Sequence, residues 1–161
     1  MNDEVKKTNP VAKWFSSNSN RTFILYPIVI LLIELILHQG NLQFVPWGVV
    51  FLLWGYLQFK FSGKYRNRLG RGGPGLKNPP EALVTSGIYA YTRNPMYLGH
   101  FIYITGIAIT LQSLVAVLLL IFTLIWYQPR VRKDEERLVE LFGDDYEEYR
   151  KRVKRWLPAI I

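Results

Sequence analysis

The sequence has no cysteine and only two histidines, His38 and His100. The absence of cysteine excludes disulfide bonds, cysteine-ligated metal sites and thiolate catalysis. Two histidines are too few for a three-histidine metal centre, so we expect no metal. Acidic residues are also scarce, because 12 of them stand against 20 lysines and arginines in 161 residues, which gives a net charge of +8. A surplus of this kind favours either nucleic acid or an anionic membrane surface as the partner.

Aspartate, glutamate, lysine and arginine are nearly absent from three long apolar stretches. Residues 22–37 contain only Glu34, and residues 42–59 and 98–127 contain none. A helix needs about 20 apolar residues to cross a bilayer. The third stretch would be about 45 Å long as a single helix, which exceeds the ~30 Å hydrocarbon core. Polar residues at 110, 112 and 113 interrupt it, so a tight turn there would divide it into two helices.

The basic residues lie outside these apolar stretches and predict a topology. Residues 1–21 carry four lysines and arginines, residues 60–97 carry seven and residues 128–161 carry nine, whereas the connection 38–41 carries none. The positive-inside rule places all three basic segments on the cytoplasmic face, which requires an even number of crossings. The fold class that we predict is therefore an all-α polytopic membrane protein with four transmembrane helices and both termini cytoplasmic. An odd number of crossings would send nine basic residues outward. Membrane lipids thus account for the net charge, and we expect no nucleic-acid partner.

We predict a single membrane domain over residues 1–161. The first two transmembrane helices fall within residues 22–61, a helical hairpin spans 95–128, and tail helices span 130–155. Glycines and prolines crowd the loop before the hairpin, and residues 70–75 superficially resemble a phosphate loop. No strand precedes that segment and Pro74 removes a donor, so a flexible basic loop is the favoured interpretation.

The third transmembrane helix has a clear predicted start. Pro95 suits the first helical position, with Asn94 as the N-cap. The free N–H groups and the positive dipole end of this helix would face the cytoplasm. Such an end suits an anion, for example a carboxylate.

The tail contains a carboxylate on an apolar helix face. Residues 130–142 predict a helix that ends at Gly143, and a second short helix follows over residues 146–153. On a helical wheel Glu135 lies about 40° from the centre of the apolar face, whereas Glu136 lies about 140° away. A buried carboxylate needs a partner. The candidates are a basic loop residue such as Arg93, or a cation or hydroxyl of a bound ligand.

Two segments carry a resemblance to a known family. Residues 87–99 read G-I-Y-A-Y-T-R-N-P-M-Y-L-G, and residues 135–149 read E-E-R-L-V-E-L-F-G-D-D-Y-E-E-Y. Together they resemble the integral-membrane methyltransferases, which include isoprenylcysteine carboxyl methyltransferase and the related phospholipid methyltransferases. The resemblance covers about residues 83–158. Asn94 stands where the family often has histidine, and an amide cannot act as a titrating base near neutral pH.

The resemblance implies S-adenosyl-L-methionine as the methyl donor, held at the cytoplasmic membrane interface in the region 62–161. Arginine or the helix N-terminus would suit the carboxylate of the donor, the acidic pair its ammonium or ribose hydroxyls, and apolar or aromatic side chains its adenine. The residues assigned to the donor on this basis are Leu83, Val84, Gly87, Tyr89, Arg93, Pro95, Tyr97, Gly99, His100, Glu135 and Glu136.

The implied reaction is an in-line displacement that moves a methyl group to a lipophilic acceptor entering from the bilayer. Alignment in a water-poor pocket would be the main contribution of the protein. A carboxylate acceptor needs no base, and Arg93 or Arg130 would orient it. An amine acceptor must lose a proton, and His100 is then the nearest candidate base. We therefore expect Arg93 and His100 to be catalytic and Arg130 to bind substrate.

Alternatives remain at the level of the sequence. The acceptor could be an ethanolamine phospholipid, or the chain could be a non-catalytic lipid-binding or scaffold membrane protein. The tyrosines could be interfacial belt residues, and Gly99 could only permit close helix packing. Tyr146 and Tyr149 are expected to dock the last helix. Glu34 lies near the outer end of the first helix, away from the proposed site, and is left out of it.

Overall fold

A computed structural model describes residues 9–72 and 79–156. All regular structure in these two ranges is helical, as the sequence predicts. Part of the glycine-rich segment 70–75 lies outside the described residues. The elements are α1 Pro10–Ser16, α2 Asn18–Asn20, a π-helical turn Arg21–Leu25, α3 Tyr26–Leu37, α4 Gly48–Gly70, a 3-10 turn Gly87–Ala90, α5 Pro95–Leu111, α6 Leu114–Phe142 and α7 Asp144–Arg152.

Two helical spans are long and apolar enough to cross a bilayer. They are Asn18–Leu37 and Leu114–Phe142, and α5 is a shorter apolar helix. In the most apolar 18-residue part of each span, only 17% and 22% of the residues are buried inside the protein. Their exposed side chains are large and apolar, and Ile36 and Ile125 are 77% and 67% exposed. Apolar surface of this extent is stable against lipid or another protein rather than against water.

Small residues bring α4 and α5 into close contact. A Cβ atom on Gly99 would lie 2.7 Å from the carbonyl oxygen of Gly55, and one on Gly55 would lie 2.5 Å from the backbone nitrogen of Tyr103. No side chain fits at either position, so the two backbones approach directly, as is common between membrane helices. This contact sets the N-terminal end of α5 beside the C-terminal half of α4.

The polar interruption in the third apolar stretch is a turn. Gln112 adopts the left-handed conformation with φ of 49°, and the side chain of Ser113 accepts a hydrogen bond from the Ala116 N–H as the N-cap of α6. Further along, the ring of Tyr127 in α6 packs against two rings of α5. The distance between ring centroids is 5.1 Å to Tyr97 and 5.7 Å to Phe101. The third apolar stretch is therefore two helices, α5 and α6, joined by a turn near the predicted position.

The predicted end of the hairpin at residue 128 and the separate tail helix from residue 130 need correction. Helix α6 continues without a break from Leu114 to Phe142, with Pro129 in its interior. Proline removes one intrahelical hydrogen bond. Tyr127 and Val131, on either side of it, are 2% and 0% exposed, so their packing keeps the helix continuous. Gly143 ends α6 as predicted, and α7 begins at Asp144 rather than at residue 146.

Candidate functional site

The N-terminal end of α5 meets the last third of α6. Tyr97 donates its hydroxyl hydrogen to Oδ2 of Asp134 at 2.9 Å. Nδ2 of Asn94 donates to Oε1 of Glu135 at 3.3 Å, and Nη2 of Arg93 lies 3.4 Å from the same oxygen. The two segments that carry the family resemblance thus lie together at one end of the bundle, which we call the motif end.

Glu135 joins three parts of the chain at the motif end. Its side chain is buried, and it accepts two further hydrogen bonds from Arg155, at 2.6 Å from Nη2 and 3.2 Å from Nε. The hydrogen bonds to Glu135 are the main reason why the pKa of Arg155 is raised above its ordinary value. Of the partners considered from the sequence, the basic residue Arg93 is present, and Arg155 is added to it. Glu135 therefore holds α6 against the start of α5 and the segment after α7.

Arg93 has hydrogen-bonding capacity left over. Its side chain is only 9% exposed, and both Nε and Nη1 are buried without a hydrogen-bond partner among the described residues. Its backbone N–H donates to the carbonyl oxygen of Lys154 at 3.1 Å, which fixes the base of the side chain. Buried charged donors without acceptors are costly. An anionic group bound next to Arg93 would satisfy them.

Three adjoining cavities at the motif end form what we call the motif cleft. The inner cavity of about 80 Å³ and the middle cavity of about 40 Å³ share Arg66, Tyr89, Arg93 and Leu138. The outer cavity of about 430 Å³ adjoins the middle one at Leu83, Phe142 and Tyr149. Only the outer cavity has the volume of a small-molecule site, typically about 300–1,000 Å³. A ligand that reached Arg93 from there would have to widen the inner part.

The walls of the cleft differ in polarity. Tyr97, Pro95 and Asp134 line the inner cavity, and Val84 and Tyr146 line the middle one. Burial raises the pKa values of Tyr89 and Tyr146 to about 12, so these two phenols stay neutral at physiological pH. The outer cavity has more negative than positive side chains, because Glu81, Asp145 and Glu148 line it together with one cation, Arg152.

Gly87 and Tyr89, from the first of the two family segments, both lie in the 3-10 turn. Gly87 begins this turn with φ of +60°, and a Cβ atom there would lie 2.9 Å from the ring of Tyr65. Tyr89, two residues on, donates to the carbonyl oxygen of Ser62 at 3.3 Å, and the hydroxyl of Tyr149 donates to the carbonyl oxygen of Tyr89 at 2.6 Å. Gly87 therefore positions Tyr89 at the cleft without lining it. Tyr146 and Tyr149 pack with Val153, which confirms that they dock α7.

The structure brings most of the assigned donor residues together. The residues that line the motif cleft are Leu83, Val84, Tyr89, Arg93, Pro95 and Tyr97. Glu135 contacts Arg93 from behind. Gly99 lies in the interface between α4 and α5, so its close-packing role is the one that the geometry supports.

His100 lies outside the motif cleft. It is buried among aromatic rings, with centroid distances of 5.0 Å to Phe59, 5.1 Å to Phe23 and 5.8 Å to Tyr127. Neither ring nitrogen has a hydrogen-bond partner among the described residues. Its ring is 6.2 Å from that of Tyr97, which does line the cleft. The candidate base His100 is thus separated from the cleft by Tyr97 and does not line it.

Arg130 and Glu136 also lie elsewhere. Arg130 is exposed and donates from Nη1 to Oδ1 of Asn18 at 2.8 Å, in a surface recess that it shares with Trp126 and Lys133. Glu136 is exposed on the polar side of α6, as the helical wheel predicts. The acidic pair that faces the other site residues is Asp134 and Glu135.

Several residues of the site were missed from the sequence. Asp134 precedes Leu138 by one helical turn, so the same wheel that placed Glu135 could have found it. Arg66, Tyr146 and Arg155 reach the site from α4, from α7 and from the segment after α7. Asn94 occupies the predicted N-cap position, but it makes no side-chain cap hydrogen bond, because its amide is directed to Glu135.

These features define an all-helical protein with apolar spans and a polar cleft at one end of its bundle. The sequence model of the phospholipid methyltransferase family matches residues 42–145. The chain belongs to this family of membrane methyltransferases, as the resemblance indicated. The match includes both segments that meet at the motif end up to residue 145.

Individual relatives point in the same direction. The chain is 43% identical over 87 residues to protein-S-isoprenylcysteine O-methyltransferase of Schizosaccharomyces pombe. The aligned region makes up 52% of this chain and 36% of that relative. It is 36% identical over 86 residues to the Homo sapiens protein of the same name. This aligned region makes up 52% of this chain and 30% of the human protein. The chain thus spans about a third of the length of these curated relatives.

The fold has a solved counterpart. The eukaryotic intramembrane Ras methyltransferase ICMT (isoprenylcysteine carboxyl methyltransferase) superposes with a TM-score of 0.62 at 22% sequence identity. The superposition covers 90% of this chain and 54% of that one. At this identity the comparison establishes the shared helical fold.

Proposed function

We propose that this chain transfers a methyl group from S-adenosyl-L-methionine to a lipophilic acceptor at the cytoplasmic membrane interface, in the manner of an isoprenylcysteine carboxyl methyltransferase. The observation that carries this proposal is the Arg93 side chain, which lines the motif cleft and has two buried donors without acceptors among the described residues. The names of the similar proteins supply the reaction class.

The membrane placement is part of the proposal. Helices Asn18–Leu37, α4, α5 and α6 would each cross the bilayer, with α5 and α6 as a hairpin. The basic segments around residues 60–97 and 128–161 would then lie on the cytoplasmic side with the motif cleft and both termini. The large exposed apolar side chains of α3, α4 and α6 support burial of these helices in lipid.

The residues of the cleft fit the methyl donor. The free N–H groups of Arg93 suit its carboxylate. The acidic rim formed by Glu81, Asp145 and Glu148 suits its ammonium, and Leu83 and Val84 with neutral tyrosines suit its adenine. When bound, S-adenosyl-L-methionine supplies an activated methyl group on a sulfonium. Glu135 would act by holding Arg93 in place rather than by contacting the donor.

The chain itself would contribute alignment and exclusion of water. Tyr97 is held by Asp134, and Tyr89 by the backbone of Ser62, so the walls nearest to Arg93 are preorganised. Fixed geometry of this kind lowers the barrier of a displacement without any proton transfer. Arg66 and Arg93 place two cations in the inner cavity, which favours an acceptor with a carboxylate.

A specific observation supports a second acceptor class. His100 is buried, neither of its ring nitrogens has a partner within residues 9–72 and 79–156, and the ring of Tyr97 lies between it and the cleft. A shift of Tyr97 would open a path from the cleft to this imidazole, which could then take the proton from an amine such as phosphatidylethanolamine. The alternative from another class is a lipid-binding or scaffold protein without catalysis.

Titration calorimetry of the detergent-purified full chain with S-adenosyl-L-methionine tests the proposal. We expect saturable binding at micromolar to millimolar donor. The absence of binding at millimolar donor would overturn the enzymatic proposal and favour the scaffold. Donor with a labelled methyl group then separates the acceptors, because an S-farnesylated cysteine with a free carboxylate should become labelled and phosphatidylethanolamine should not. The reverse pattern would favour the amine acceptor.

A further inference from the structure

A separate cavity of about 300 Å³ lies along α4 at the motif end. It is lined by Phe61, Ser62, Lys64, Tyr65, Arg68 and Ile88, and we call it the α4 groove. None of these residues lines any cavity of the motif cleft. The groove is therefore a distinct feature that the proposed methyl transfer does not use.

The groove combines an apolar end with a cationic end. Phe61 is 64% exposed, which is unusual for so large an apolar side chain unless lipid or a ligand covers it. Lys64 and Arg68 follow one and two helical turns later, both exposed, and neither forms an ion pair within the described residues. One helix face thus changes from apolar to doubly positive over about 10 Å.

A buried polar group provides a second, independent observation. Ser62 is 1% exposed, lines the groove, and its hydroxyl has no hydrogen-bond partner among the described residues. A buried hydroxyl without a partner is costly. A ligand with acceptor oxygens in the groove would remove that cost.

We propose that the α4 groove binds one anionic phospholipid, with its phosphate at Lys64 and Arg68 and the start of an acyl chain against Phe61. The charge complementarity and the order of the apolar and cationic residues along α4 favour this occupant. Cations at the end of a membrane helix attract anionic headgroups while their stems cover apolar surface. The inference depends on the membrane placement proposed above, but not on the methyl transfer.

Occupation of the groove would also affect the motif cleft. Ile88 lies in the groove, and the next residue, Tyr89, lines the cleft. Tyr65, a second groove residue, is hydrogen-bonded through its hydroxyl to Oγ of Ser86 at 2.9 Å. A lipid that packs on Ile88 and Tyr65 therefore stabilises the turn that carries Tyr89.

Native mass spectrometry of the detergent-purified full chain, titrated with phosphatidylglycerol or with phosphatidylcholine, tests the proposal. The double variant Lys64→Gln/Arg68→Gln removes two positive charges from the groove. The matched control Lys151→Gln/Lys154→Gln removes two exposed charges from the tail at the same end of the bundle. We expect one phosphatidylglycerol to bind to the wild type and to the control, and at least about fivefold weaker binding to the groove variant.

Each other outcome has a defined meaning. Equal binding to both variants, or equal binding of both lipids, would overturn the proposal, because the attraction would then not be specific to the groove. Displacement of the lipid by an S-farnesylated cysteine would overturn it in favour of an acceptor subsite. The Ser62→Ala variant should bind phosphatidylglycerol more weakly than the wild type. Donor calorimetry on the same preparations without added lipid separates this result from the proposed function, because Lys64 and Arg68 do not line the cleft and the groove variant should then keep its donor affinity.

Discussion

The bundle buries a glutamate near each end of α5, and the two differ in their partners. Glu135 at the motif end contacts Arg93, Arg155 and the amide of Asn94. Glu34 is about 25 Å away along α5. It is 2% exposed, accepts a hydrogen bond of 2.5 Å from Oγ of Ser113 and lies 3.1 Å from Nε2 of His38.

Both carboxylates join helices, but only one adjoins a cleft. Ser113 caps α6 while it donates to Glu34, and His38 contacts the other carboxylate oxygen, so both oxygens of Glu34 have partners within the fold. At the motif end two donors of Arg93, a residue that lines the inner cavity, have no partner among the described residues. The comparison shows that a buried carboxylate by itself marks a helix junction. We propose that a binding site is distinguished by a neighbouring cation, here Arg93, whose donors lack partners among the described residues.

The largest expected effect is on stability at the motif end. Glu135→Gln leaves Arg93 and Arg155 without a charged partner, and we expect it to lower the free energy of unfolding by about 3 kcal/mol. Glu136→Gln is the matched control and should change it little, since Glu136 is exposed. Denaturant unfolding in detergent provides the measurement. Equal effects of the two variants would mean that Glu135 is not the junction described here.

The next effect concerns the donor. Arg93→Gln removes the charged donors from the cleft, and we expect the affinity for S-adenosyl-L-methionine to fall about 10- to 100-fold. Arg132→Gln, which changes an exposed arginine of α6, is the control and should bind like the wild type. Calorimetry checks both. Unchanged binding by Arg93→Gln would remove the main support for the proposed site.

At the opposite end the expected effect is smaller and confined to stability. Glu34→Gln keeps the shape of the side chain and weakens its bonds to Ser113 and His38, which should cost about 1–2 kcal/mol in unfolding. Donor affinity should stay at the wild-type value, because no cavity of the motif cleft reaches Glu34. A loss of donor binding in a folded Glu34→Gln variant would contradict the contrast between the two ends.

The smallest effect tests the wall of the cleft. Tyr97→Phe removes the hydroxyl that donates to Asp134 but keeps the ring, and we expect a loss of about 1 kcal/mol, or about fivefold, in donor affinity or rate. Tyr103→Phe on the same helix, outside the cleft, serves as the control. Calorimetry and the labelled-methyl assay measure the two variants. Equal behaviour would show that Tyr97 does not position the site.

Local sequence signals predicted much of the helical architecture. Pro95 starts α5, the polar residues near 112 form the turn, and Gly143 ends α6. Each of these depends on the conformational preferences of a residue and its immediate neighbours. The burial of Glu135 and the exposure of Glu136 likewise follow from helical periodicity. The continuity of α6 through Pro129 did not follow, because packing on both sides of the proline outweighs the lost hydrogen bond.

The amino-acid sequence by itself determined the helices, their apolar faces and the family, because these depend on local periodicity and on two short motifs. Only the tertiary structure decided which partners each buried group receives. The close contact of Gly55 with Gly99 sets α5 against α4 and so brings Arg66 to the cleft, while the packing of α6 and the last segment gives Glu135 two arginines. The position of His100 behind Tyr97 also depends on tertiary packing. Its ring contacts Phe59 of another helix, so local sequence patterns do not predict its surroundings.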